Sequence, residues 1–233
     1  MSAPTIRLEL PPAASLRTAA ISRLGYPGPG EVSQKVMTCL DREVERCLEL
    51  AAPRALCELA PFRGCRRGEI EAEGVLLKTL NWSRLVRRMS GVRYLCCLAV
   101  TLGKPLDETI AELGPGRLTA SFILDATASA LAELLADEAQ QQIRGYFNLK
   151  GWRTSLRFSP GYCDWEMKNG QENLCGFLHP QTIGIQASPA SGMMTPRKSI
   201  TAVMVVADEM PAETPCYLCV RNCPHRRESY AAD

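Results

Sequence analysis

Apolar positions along this chain recur with a period of two in some stretches and of nearly four in others, and the changes between them mark its elements. Ile6, Leu8 and Leu10 alternate with polar residues, which predicts a short strand over 5–10. A helix begins near Ala13 and stops at Gly25, ahead of Pro27, and a turn-rich stretch covers 26–30. Val36, Leu40, Val44, Cys47 and Ala51 then repeat at helical spacing up to Pro53, leaving Asp41, Arg42, Glu45 and Glu49 for water. Residues 70–78 read as a strand, and Asn81 is a candidate cap for a short helix reaching Arg88. The run 92–100 is almost wholly apolar, and periodicity leaves it open between a buried central strand and a short core helix. A brief helix over 106–113 ends at Gly114-Pro115-Gly116.

The longest amphipathic pattern runs over 119–145, through Leu124, Ala128, Leu131, Leu135, Ala139 and Ile143. Asp125, Ser129, Glu133 and Asp137 fall four apart on a second stripe of that helix. Carboxylates at this spacing repel, so the stripe is either solvated or faces a cation; the solvated reading is preferred for Asp137 and Asp125. A further helix is expected over 164–178, closed by His179-Pro180, with His179 ending the helix rather than binding a metal. Residues 183–187 and 200–206 are rich in β-branched residues and read as an antiparallel pair joined by a loop. Strands and helices without steady alternation predict an α+β fold, helices packed around a twisted antiparallel sheet. The division expected is one domain over 1–210 and a cysteine-rich tail over 211–233.

Composition narrows the function. At 233 residues the chain is long enough to bury a core without covalent staples, and a net charge of +2 with 22% charged residues gives no field suited to nucleic acid or a membrane surface. No continuous apolar run approaches 18 residues, and the first residues lack the order of a secretion signal, so a cytoplasmic location is expected. The eleven cysteines are unevenly spaced and odd in number, which argues for free thiols or metal ligation rather than a disulfide framework. No catalytic triad, nucleophile elbow, His-Glu-x-x-His run or glycine-rich phosphate loop is present.

The chemistry concentrates in Arg157-Phe158-Ser159-Pro160-Gly161-Tyr162. Arginine presents a planar set of donors that matches a carboxylate, Pro-Gly lets backbone come close to a ligand, and tyrosine adds a ring face and a hydroxyl. Together with Leu131-Ala132-Glu133 upstream and Ser191-Gly192-Met193-Met194-Thr195-Pro196 downstream, this run resembles the S-adenosylmethionine-binding activation domain of cobalamin-dependent methionine synthase, in its stand-alone form. The resemblance extends from about Arg23 to Ala207. It implies a curved α+β body around a twisted antiparallel sheet. By the same resemblance Arg157 meets the α-carboxylate, Glu133 the ammonium or ribose hydroxyls, the backbone at Ser159 and Gly161 the adenosine, and Tyr162 the corrin side. Glu58, shortly before Pro61-Phe62, takes the place of a family acid, whereas Ser199 and Ile200 stand where fused domains have an aromatic residue.

The function so implied is accessory: S-adenosylmethionine is held over the cobalamin of a partner so that reductive methylation restores it. The partners implied are a corrinoid protein or methionine synthase modules, with an electron donor such as flavodoxin or ferredoxin. The tail adds a separate signal. Cys216-x-x-Cys219-x-x-x-Cys223-Pro224 matches the latter part of a bacterial ferredoxin run but has Glu213 where the first cysteine belongs. An iron-sulfur cluster would need Cys163, Cys175, His225 or a partner to complete it; a zinc site with His225 and uncoordinated redox-active thiols, activated by Arg221, Arg226 and Arg227, are the other readings. Two further functions therefore stay open, an iron-sulfur electron-transfer component for a corrinoid protein and a docking module without ligand.

Overall fold

The computed structural model describes residues 1–220 and Cys223. An extended N-terminal segment leads into α1 (Ala13–Arg23) and α2 (Gln34–Leu50). Strands β1 (Arg54–Arg66), β2 (Glu69–Ala72) and β3 (Val75–Lys78) form a meander, and α3 (Leu80–Val86) leads to β4 (Tyr94–Thr101). Next come α4 (Pro105–Leu113), the 31-residue α5 (Leu118–Asn148), β5 (Arg153–Thr154) and α6 (Met167–Leu178). The short strands β6 (Gln186–Ala187) and β7 (Met194–Thr195) precede β8 (Ser199–Ala207).

Six strands form one antiparallel sheet in the order β3-β2-β1-β4-β8-β5. One face carries Cys96, Leu98, Val100, Met204 and Val206 into a core shared with Leu16, Leu40, Leu106, Leu124 and Leu131 of α1, α2, α4 and α5. The other face carries Leu95, Cys97, Ala99, Val203 and Val205 against Trp82, Leu85, Trp165 and Leu174. The architecture is the α+β one expected. It also settles the run 92–100 as a central strand: β4 is covered on both faces, so neither set of alternating side chains has a reason to be polar. Helix α5 is long and apolar enough to cross a bilayer by length and composition, but it lies in the first core, between sheet and outer helices.

Four local expectations are corrected. Residues 5–10 form no strand; their backbone bonds to side chains of α5, Arg7 N–H to Gln142 Oε1 at 3.1 Å and Glu9 N–H to Glu138. The stretch 70–78 is two strands, because Glu73-Gly74 makes a turn with Gly74 at φ +75°. The short helix is capped by Thr79, whose side chain accepts from Trp82 N–H, and not by Asn81. Residues 186–187 pair with 194–195, while β8 pairs with β4 and β5, so the anticipated hairpin of 183–187 with 200–206 does not form.

Strand β1 had no counterpart in the pattern. Its residues 54–61 pair with β4 and residues 62–66 with β2, with the register shifting between Phe62 and Gly64. Pro61 sits at the changeover, where a strand tolerates a missing N–H, and Glu58 and Arg63 interrupt the alternation that would have betrayed it.

Candidate functional site

The polar stripe of α5 faces two buried cations. Lys198, just ahead of β8, places Nζ 2.8 Å from Asp125 Oδ1 and 2.9 Å from Ser129 Oγ. Arg157, in the segment after β5, donates from Nη2 to Glu133 Oε2 at 2.5 Å and to Asp137 Oδ1 at 2.9 Å, with Nε 3.2 Å from the same Asp137 oxygen. The solvated reading of Asp125 and Asp137 is therefore corrected: a helical repeat of four stacks these groups on one ridge, and the ridge meets cations because α5 packs beside β5 and β8. Gln140, one turn beyond, accepts from the Arg157 backbone N–H at 2.7 Å and fixes the segment lengthwise.

The Arg157 side chain is 1% exposed, while Glu133 and Asp137 are 37% and 47% exposed. Burial alone would pull the guanidinium pKa down, but the charges of Glu133 and Asp137 and their hydrogen bonds outweigh it and hold the group firmly protonated. Two carboxylates that both reach solvent face one buried guanidinium here.

From Arg157 the chain enters a closed turn. Phe158 bridges to Val203 of β8, Tyr162 N–H bonds Ser159 C=O at 3.1 Å, Gly161 N–H bonds Trp165 C=O at 2.8 Å, and Trp165 N–H bonds Tyr162 C=O at 2.9 Å. Gly161 has φ +89°, a conformation other residues rarely adopt. The turn is wedged by rings: Phe158 stacks on Trp165 with centroids 5.7 Å apart and lies 4.9 Å from Trp82. Asp164 then caps α3 through Thr79 Oγ1 at 2.9 Å and Leu80 N–H. The Ser159 hydroxyl is buried without a partner among the described residues, whereas Tyr162 is 42% exposed, its ring edge-on to Phe158.

The structure thus brings Glu133 and Arg157 into direct contact and places Ser159, Gly161 and Tyr162 on the turn that follows. Glu58 is exposed on β1, opposite Cys97 of β4, and is not one of the two carboxylates that hold Arg157. Asp137 is the member of the site that sequence reasoning missed, although its place one helical turn after Glu133 was the available signal. A hollow lined by Arg144, Asn148, Arg153, Thr154, Asp208 and Glu209 lies beside the C-terminal half of α5 and includes none of the predicted residues.

All eleven cysteines are free thiols. Among the described residues no group of three or more His, Cys, Asp or Glu side chains is set as a ready metal-ligand shell. Cys216 and Cys219 nevertheless pack against the second core, on a 3₁₀ turn (Pro215–Leu218) beside α3. Cys163, in the closed turn, hydrogen-bonds to both thiols; burial first, then these bonds, push its pKa far up. Cys175 bonds instead to Gln171 within α6, Cys223 is exposed, and His225, Arg221, Arg226 and Arg227 lie outside the described residues. His179 closes α6 in a left-handed conformation, as expected of a helix end.

In class, this is an α+β domain whose antiparallel sheet carries a long core helix on one face and an aromatic-wedged turn at its edge. A solved structure gives that class a particular likeness. The chain is similar to the MetH reactivation domain bound to AdoHcy, with 14% sequence identity and a TM-score of 0.65, over 91% of this chain and 82% of that one. At this identity the likeness is one of fold. No protein-family model matches the chain, and no curated protein matches it in sequence.

Proposed function

We propose that this chain binds S-adenosylmethionine beside Arg157 and the 159–162 turn, and presents its methyl group to the cobalamin of a separate corrinoid protein, such as methionine synthase modules, in the cytoplasm. The single observation that carries the reading is the charge of the site, two half-exposed carboxylates around one buried guanidinium. S-adenosylmethionine has a carboxylate, an ammonium and a sulfonium, hence one net positive charge, and carboxylates that reach solvent beside a guanidinium suit both signs of it. The fold it shares with a domain solved with AdoHcy points the same way.

The residues fit the ligand in kind. Arg157 meets the carboxylate with the donors that Glu133 and Asp137 leave, and Glu133 turns its second oxygen to the ammonium. The Ser159 hydroxyl, unpartnered among the described residues, and the turn backbone meet the adenosine, while the Met167 side chain packs against Gly161. Bound ligand supplies an electrophilic methyl group; the chain supplies position and dryness, and no proton transfer is needed from it. Tyr162, exposed at the rim, lies where a corrin would arrive.

Isothermal titration of the full chain with S-adenosylmethionine tests the reading. A saturable 1:1 isotherm, weakened by added AdoHcy, is expected; no heat and no thermal protection at millimolar ligand would leave the chain as a docking module that shares only the fold.

A further inference from the structure

The tail and the ligand turn meet at sulfur. Cys163 follows Tyr162 directly, is buried, and has φ +49°, a left-handed conformation that a β-carbon disfavours and that the closed 159–165 turn imposes. That conformation directs the chain so that its thiol reaches Cys216 and Cys219. These two belong to a Cys-x-x-Cys segment in which Cys219 N–H bonds Cys216 C=O at 3.1 Å, and both pack against the second core. The segment is anchored: Thr214 is buried, Glu213 bonds Arg88 at 3.0 Å, and the 3₁₀ turn rests on α3, whose N-terminus Asp164 caps.

We infer that Cys163, Cys216 and Cys219, joined by Cys223, form a tetrathiolate site for a soft metal centre, with Cys163 in the place of the ligand absent at Glu213. Cys163 and two cysteines from a segment 53 residues further on meet at the second core, with the Cys163 thiol in hydrogen-bond contact with both. A metal entering there replaces these two weak hydrogen bonds with metal–sulfur bonds and releases the thiol protons to solvent. Cys223 is exposed and four positions past Cys219, so it is available as the fourth donor as the shell closes. The inference stands apart from the ligand reading. If both hold, one ligand of the metal centre, Cys163, directly follows Tyr162 on the same turn.

Two centres share this thiolate chemistry, zinc and an iron–sulfur cluster, and anaerobic purification of the full chain separates them. Iron with matching acid-labile sulfide and visible absorption identifies the cluster; a colourless protein with one zinc per chain identifies zinc; either supports the site. Cys163→Ser and Cys219→Ser should each lower metal content, and affinity for cobalt(II) added as a probe, by about tenfold or more, while Cys175→Ser leaves both unchanged. A circular dichroism melt of each variant separates loss of metal from loss of fold, and Cys219→Ser, at the less buried thiol, serves if Cys163→Ser does not fold. Wild-type protein that carries no metal and gives no thiolate–cobalt absorption overturns the inference, as does full metal content in folded Cys163→Ser. Retention of S-adenosylmethionine binding by a metal-free variant shows that the two readings fail separately.

Discussion

Lys198 and Arg157 are both buried cations set against the same ridge of α5, yet their surroundings differ in sum. Lys198 meets one carboxylate and one hydroxyl, so its charge is cancelled and its remaining need is met by a neutral oxygen. Arg157 meets two carboxylates, and both of them reach water. A single pair fixes a helix to a sheet. Two acids on one cation make a poorer clamp, because Glu133 and Asp137 repel each other at four-residue spacing. Their solvent-facing oxygens are open to a positive group from outside, and that difference separates a fastening from a binding site on one helix.

The comparison can be broken in three ways. Arg157→Ala leaves both acids without their cation and opens a void; ligand affinity is expected to fall about 100-fold or more, and stability in urea by about 2 kcal/mol, less than for a fully buried pair because both carboxylates keep contact with water. Lys198→Met should cost a similar or smaller amount, about 1–2 kcal/mol, since Asp125 is also partly wet; titration should show affinity changed by no more than about twofold. An affinity collapse in Lys198→Met would mean that the two ends of the ridge act as one site. Glu133→Gln has the smallest effect on the fold, within about 0.5 kcal/mol, because the cation keeps Asp137. It should nevertheless weaken S-adenosylmethionine about tenfold, and unchanged affinity would show that the Glu133 charge plays no part in binding.

Much of this was legible in the chain and some could not have been. The spacing of Asp125, Ser129, Glu133 and Asp137 announced a ridge, but not what it faced, since Arg157 and Lys198 lie 20 and 73 residues from their partners. Long helices are visible because their period repeats many times; α5 and α2 were placed to within a few residues for that reason. Strand β1 was not, because a strand that changes partner at Pro61 has two short half-patterns instead of one long one. The pairing of β8 was hidden for a different reason. Neighbours in an antiparallel sheet need not be neighbours in sequence, and β8 prefers the apolar β4 to the two-residue β6. At the site, Arg157 and the 159–162 turn were marked by their residue types, whereas the meeting of Cys163 with Cys216 and Cys219 depended on a left-handed residue that sequence does not announce.

Helix α5 also fixes where this chain tolerates a change of length. At 1.5 Å per residue, Asp125 and Asp137 are about 18 Å apart along a rigid rod, and both cations come from chain that leaves the sheet at set points. One residue inserted between Asp125 and Glu133 would rotate everything downstream by about 100°, swinging Glu133 and Asp137 off Arg157 and bringing Ala132 and Ala136 to their places. The same insertion at Gly116 or Gly151, in the loops at either end of the rod, would shift no side chain on it. Length variation among chains built to this plan is therefore expected in those loops, with the span from 125 to 140 held to a constant count.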